Sequence, residues 1–163
     1  MCIRDRYYTG SDEFNSLFAT GESFKDKRFK KIKDLELATV VMKTKKGVLC
    51  MITNSRHCSF GYDQRIELMG SNGMVISGNR KPNELKKYSQ NGVETAVPYQ
   101  FFFIERYNEA FMAGIDDFVD CIENKKEPLS TFEDGRKALV LAETAYRSMH
   151  ERRLVRVAEV DNF

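Results

Sequence analysis

The sequence predicts an α+β fold: an antiparallel-rich mixed sheet, helices packed on one face, and an open face for oligomerisation. Three observations predict it. Runs rich in Val, Ile, Leu, Met and Thr, separated by turn residues, fill the first hundred positions. From residue 104 the apolar period lengthens from two to about 3.6, the change that separates strands from helices. The strand-like segments come first and two helical segments come late, an order that places helices on one side of an antiparallel sheet.

Residues 12–20 read as a strand entered from the Thr9-Gly10-Ser11 turn. Residues 36–44 and 48–56 read as a hairpin closed by Lys45-Lys46-Gly47, where Gly takes the backbone conformation a tight turn needs. Side chains alternate across a strand. Ala38, Val40 and Met42 therefore face one way, and Leu37 and Val41 the other. Val48, Cys50 and Ile52 oppose Leu49 and Met51 in the same manner. Both faces are apolar, so the pair calls for helices on one side and a partner subunit on the other. A second hairpin is expected at 64–69 and 74–78 around Gly70-Ser71-Asn72-Gly73. A third is expected at 85–89 and 93–97, with Asn91-Gly92 as central residues that both tolerate positive φ. Pro82 and Pro98 mark loop edges.

Ile104, Tyr107, Phe111, Ile115, Phe118 and Ile122 form one stripe at three-or-four spacing. Burying such side chains stabilises by roughly 1.5–3 kcal/mol each, enough to dock this helix on the sheet. The helix should end near Asn124, before Pro128. Ser130 with Glu133 reads as a capping box opening a second helix, with Ala138, Leu141, Ala142, Ala145 and Met149 on its buried side. Arg152 and Arg153 suit a helix C-terminus electrostatically, and residues 154–157 read as a last short strand.

At 163 residues one domain is expected, long enough to bury a core without staples. A net charge of +2 does not point to an electrostatic partner. The cationic run Lys25-Asp26-Lys27-Arg28-Phe29-Lys30-Lys31-Ile32-Lys33 holds one Phe and is offset by Asp26, Asp34 and Glu36. It reads as a solvated loop, and no nucleic-acid partner is expected. No apolar run is long enough to span a membrane, and the first residues lack the apolar core of a signal peptide. Cys2, Cys50, Cys58 and Cys121 show no C-x-x-C spacing, so free thiols in a reducing, cytoplasmic setting are expected. His57 and His150 are far apart and carry no ligand spacing, so no metal site is expected. Neither a Gly-x-Ser-x-Gly elbow nor a G-x-G-x-x-G or G-x-x-x-x-G-K-[ST] phosphate loop occurs. Residues 1–6, Met-Cys-Ile-Arg-Asp-Arg, resemble a translated sequencing adapter. They are expected to be non-native, with the domain proper at 7–163.

Several motifs follow one another in a specific order: Asn-Ser-Arg at 54–56, Gly-Tyr-Asp-Gln-Arg at 61–65 and Gly-Ser-Asn-Gly-Met at 70–74. Phe102-Phe103-Ile104-Glu105-Arg106-Tyr107 comes next, then Asp134-Gly135-Arg136-Lys137-Ala138. This set resembles the C-terminal domain of the inositol 2-dehydrogenases, in the Gfo/Idh/MocA family of NAD(P)-dependent oxidoreductases. The resemblance covers residues 7 to about 157.

It implies oxidation of a cyclic, myo-inositol-like polyol to its keto form, with NAD bound by an N-terminal Rossmann domain that this chain does not contain. It also implies a proton-transferring Lys in that first domain and an Asp-x-x-x-His motif opening the second, neither of which is present. Asp5 is no substitute, because no His follows at the required distance. No catalytic residue is therefore assigned in this chain, and the chain alone is expected to be inactive. One substrate contact carries over, Tyr62, whose phenol can donate and accept hydrogen bonds to a ring of hydroxyls. His57 is a weaker second candidate. Asn54, Arg56 and Arg65 are expected to hold the hairpin rather than the ligand. Phe60 stands where many relatives carry Tyr, which leaves open which polyol is bound. The resemblance also implies a homodimer or homotetramer through the sheet face. The alternative is a non-catalytic binding or assembly module built on the same domain.

Overall fold

The computed structural model describes residues 3–10, 12–95 and 97–161. The chain divides into two compact units, residues 1–57 with 129–163, and residues 58–128.

The first unit is built on a four-stranded sheet. Its strands are β1 (Phe14–Glu22), β2 (Leu37–Thr44), β3 (Leu49–Ser55) and β8 (Val155–Arg156). They lie in the order β3-β2-β1-β8 with every neighbour antiparallel. The expected first strand and hairpin are thus in place, and the alternation works as chemistry demands. Leu17, Ala19, Val40 and Met42 point inward and are buried. They meet Leu141 and Ala145 of α4 (Phe132–Glu151) to form the core. The opposite face carries Phe18, Val41 and Met51 in register with one another, Phe18 opposite Val41 and Val41 opposite Met51. These side chains are open among the described residues of this unit: Val41 is 43% and Met51 73% exposed.

Three details of α4 differ from the sequence reading. The capping residue is Thr131, not Ser130. Thr131 is extended, its Oγ1 accepts the Asp134 N–H, and the Asp134 carboxylate accepts the Thr131 N–H. Glu133, expected in that role, instead pairs with Arg136 at 2.7 Å. Ala142 is exposed, while the polar Thr144 and Ser148 are fully buried. Thr144 Oγ1 donates to the Val140 carbonyl within the helix at 2.7 Å. For Ser148 the reason lies in β8, which pairs only with Ser16 and Leu17. Beyond that short ladder, the Ala19 N–H donates to Ser148 Oγ at 3.0 Å, and Ser148 donates in turn to the Arg153 carbonyl at 2.6 Å. A hydroxyl on the helix thus stands in for a missing strand partner.

α1 (Ile3–Tyr8) runs across the boundary expected at residue 7. Arg6 is 8% exposed and pairs with Asp134 at 2.8 Å. Residues 1 and 2 lie outside the described residues. The cationic run contains a single-turn helix, α2 (Lys27–Lys31), capped by Asp26 accepting the Arg28 N–H at 2.8 Å. Its lysines are exposed, as a solvated segment requires.

The second unit holds two separate hairpins, β4 (Ile66–Gly70) with β5 (Gly73–Ser77), and β6 (Lys86–Ser89) with β7 (Gly92–Thr95). Both are antiparallel. In the latter, Ser89 pairs with Gly92, so the loop residues are Gln90 and Asn91. Of Asn91 and Gly92, only Gly92 has a positive φ, at +119°. The expected pair of positive-φ central residues is therefore corrected: glycine takes the left-handed step just after the loop, an alternative way to close a hairpin. α3 (Phe103–Asn124) begins and ends where the period placed it, closing on Lys125 in the left-handed conformation. Its stripe, however, is not buried. No residue of α3 is buried, and Phe111 and Phe118 are 52% and 64% exposed. The period reports an apolar face correctly, but an apolar period does not by itself bury the residues that make it.

Candidate functional site

Tyr62 sits in the second unit on the extended segment 61–65. Gly61 opens that segment at φ +117°, and a Cβ there would lie 2.8 Å from the Tyr99 carbonyl oxygen. Only glycine allows this approach. It lets the Tyr62 N–H donate to the Gln100 carbonyl at 2.7 Å, which fastens the segment to the loop before α3. Side chains then alternate: Tyr62 and Gln64 are half-buried, while Asp63 and Arg65 are exposed.

The exposed pair braces the segment. Asp63 receives Arg65 Nε at 2.8 Å and NH2 at 3.0 Å, and Asn79 Nδ2 at 2.6 Å. Arg65 and Asn79 together hold the Asp63 carboxyl below its ordinary range. Asn79 also accepts the Gln64 N–H at 2.7 Å. Arg65 is thus engaged by Asp63. On the half-buried side, the Tyr62 ring meets the Tyr107 ring edge-on, with centroids 6.0 Å apart at 75°. The Tyr107 hydroxyl donates to Gln64 Oε1. Phe60 is 48% exposed and packs edge-on against Tyr99 at 6.0 Å.

His57 and Arg56 belong to the first unit. Arg56 is tied down on three sides. Its Nε donates to the Leu35 carbonyl at 2.9 Å, its NH2 to Asp34 at 2.6 Å, and its guanidinium lies 4.8 Å from the Phe29 ring centre. Asn54 is exposed on β3. His57 Nε2 lies 2.8 Å from Glu36 Oε1. Glu36 is 1% exposed and also accepts the N–H groups of Phe24 and Lys25 at 2.6 Å and of Asp26 at 2.8 Å. Burial pushes its carboxyl pKa up, but His57 and the three amides outweigh burial and lower it to about 2. An ionised carboxylate can only accept, so His57 presents a protonated Nε2 to it.

Sequence reasoning did not single out Glu36, Gln64 or Tyr107 for the site. A signal for Glu36 was present: it falls on the inward register of Ala38, Val40 and Met42, where a carboxylate must find donors. Gln64 and Tyr107 carry no such mark, because their pairing joins residues far apart in the chain.

Among the described residues no cluster of metal-ligating side chains occurs, and no helix is long and apolar enough to cross a membrane. Cys58 and Cys121 are free thiols. The described residues do not fit a dinucleotide. Every strand pairing is antiparallel, so no parallel strand-helix-strand turn offers a helix N-terminus to a pyrophosphate.

Comparison with known proteins agrees with this geometry. The Gfo/Idh/MocA model described as "Oxidoreductase family, C-terminal alpha/beta domain" matches residues 8–157. The chain is 34% identical to a myo-inositol 2-dehydrogenase of Thermotoga maritima, over 98% of this chain and 48% of that protein. It is 36% identical to an inositol 2-dehydrogenase of Rhizobium meliloti, over 97% of this chain and 48% of that protein. A crystal structure of a probable dehydrogenase from Thermotoga maritima superposes with a TM-score of 0.92 at 34% identity, over 97% of this chain and 47% of the other. The chain spans about half the length of the curated relatives it matches. It belongs to the Gfo/Idh/MocA oxidoreductase family, as that family's C-terminal α/β domain.

Proposed function

We propose that this chain is the substrate side of an NAD-dependent oxidoreductase that oxidises a cyclic, myo-inositol-like polyol to its keto form. The observation that carries this reading is Tyr62, fixed in the Gly-Tyr-Asp-Gln-Arg motif by the Gly61 turn and the Gln100 carbonyl. The names of the relatives, both inositol 2-dehydrogenases, support the substrate class. The phenol of Tyr62 binds and orients a hydroxyl of the ring; it does not take the proton. That task, and the cofactor, belong to a Rossmann domain and an Asp-x-x-x-His motif outside this chain. Purified alone, the chain should produce no NADH from myo-inositol.

His57 is the weaker second contact. Glu36 holds its Nε2 side, so only the rest of the ring is available to a ligand. The uncovered sheet face of Phe18, Val41, Leu49 and Met51 supports a homodimer or homotetramer, since an apolar area of this kind seldom stays in water. Light scattering at micromolar concentration tests it: a clean monomer contradicts the proposal.

A non-catalytic binding or assembly module on the same domain is the competing reading. The experiment that separates them is to sequence the genomic DNA upstream of Tyr7 and assay the encoded frame for NADH formation with myo-inositol. A frame carrying a Gly-rich dinucleotide fingerprint and Asp-x-x-x-His, with activity, supports the enzyme. A genuine start immediately before Tyr7, or an intact frame with no activity on inositols, sinks it.

A further inference from the structure

We propose that Tyr107 and Gln64 are positioning residues that set the angle of the Tyr62 phenol, and so the fit of a cyclic polyol. This rests on the polyol reading of Tyr62. The geometry behind it lies wholly within residues 58–128. Tyr62 and Gln64 are two apart and share the half-buried side of their segment, with Asp63 and Arg65 exposed. Tyr107, on α3, reaches both at once. Its hydroxyl donates to Gln64 Oε1, and its ring edge stands against the Tyr62 ring at 6.0 Å and 75°. Phe111, one turn further along α3, also packs against the Tyr107 ring, with centroids 6.1 Å apart.

The arrangement is a two-point hold. An aromatic ring pivots about its Cβ–Cγ bond, and an edge-to-face contact alone is weak and tolerant of angle. Tying the far end of Tyr107 to Gln64 removes that freedom, because the hydroxyl and the ring can no longer move independently. Gln64 is itself fixed, its N–H held by Asn79 and, through Asn79, by Asp63. The Asp63-Arg65-Asn79 brace therefore acts on Tyr62 by way of Gln64 and Tyr107. A polyol ring offers hydroxyls at fixed relative directions. A phenol held at one angle discriminates among stereoisomers better than one free to rotate, because an imperfectly aimed hydrogen bond weakens steeply.

The test is NMR on the 163-residue chain with ring-labelled tyrosine, the Tyr62 signal being assigned from Tyr62→Phe. Tyr107→Phe keeps the aromatic contact and removes only the hydroxyl. Without ligand, it should move and broaden the Tyr62 ring signals while the other tyrosines keep theirs. Gln64→Leu should do the same, and Gln64→Glu, which keeps an acceptor, should restore the wild-type position. With myo-inositol added, the apparent Kd read at Tyr62 should rise about fivefold in Tyr107→Phe, the scale of one net hydrogen bond. If the ligand-free Tyr62 signals are the same in wild type, Tyr107→Phe and Gln64→Leu, the positioning proposal is overturned. If wild-type Tyr62 ignores myo-inositol, the polyol reading fails by itself, while the ligand-free comparison still decides whether Tyr107 sets the ring. A change in Tyr62 that Gln64→Glu does not restore counts against the hydrogen-bonded hold.

Discussion

Replacing Ser148 by Ala removes one oxygen and strands two backbone groups of different consequence. The Ala19 N–H sits on a residue only 2% exposed and has Ser148 Oγ as its acceptor at 3.0 Å. Leaving a buried donor unmade costs about 1–3 kcal/mol. The Arg153 carbonyl, which accepts from Ser148 at 2.6 Å, belongs to an exposed residue and can turn to water. Its loss is the net worth of one hydrogen bond, about 0.5–1.5 kcal/mol. Together they give about 3 kcal/mol. In a chain of this size that lowers Tm by roughly 6–12 °C. Urea unfolding followed by far-UV circular dichroism should show the midpoint fall by about 1.5 M at an m-value of roughly 2 kcal/mol/M. Hydrogen exchange at the Ala19 amide should accelerate in step. Ala142→Ser is the control. Sequence periodicity put Ala142 in the core, but the structure exposes it, so this change should stay within about 0.5 kcal/mol. The reasoning is refuted if Ser148→Ala is as stable as wild type, or if Ala142→Ser costs as much.

Three further outcomes follow from the same geometry. The Glu36 carboxyl has its folded pKa lowered to about 2 from an ordinary 4.5, so its stabilisation is complete above about 4.5 and is lost as pH falls through 2. Glu36→Gln should flatten the loss of stability between those values, measured by acid titration of unfolding; an unchanged acid limb contradicts the assignment. Gly61→Ala should cost about 1–3 kcal/mol, because a Cβ would stand 2.8 Å from the Tyr99 carbonyl and φ is +117°. Equal thermal midpoints would show that the Tyr99 backbone gives way freely. Thr131→Ala should cost about 1 kcal/mol and Ser130→Ala almost nothing, in differential scanning fluorimetry, since Thr131 holds the cap.

The strands were legible because alternation is a local property. Val40 and Met42 go inward and Val41 outward, as their positions required. The extent of α3 was legible for the same reason, its period being written in consecutive residues. What receives its stripe was not, because a periodic face says that a surface is apolar and not what meets it. The cap of α4 slipped by one residue because Ser130/Glu133 and Thr131/Asp134 both satisfy the spacing, and only backbone geometry chooses between them. Ser148 was passed over because polar residues on an apolar face look like errors until the short β8 strand leaves the Ala19 N–H without a strand partner. At the site, Tyr62 and Arg65 came from a motif read as a unit. The Tyr62, Gln64 and Tyr107 cluster spans more than forty positions and is assembled only by folding.

The proposed binding of a cyclic polyol by Tyr62 can be tested by steady-state kinetics with NAD and myo-inositol on the reading frame that contains this chain, with and without Tyr62→Phe. Losing one phenolic hydroxyl that binds substrate without moving its proton should raise KM for myo-inositol roughly fivefold to tenfold and leave kcat nearly unchanged. An unchanged KM would contradict the claim, and a collapse of kcat at constant KM would place Tyr62 in the chemistry rather than in binding.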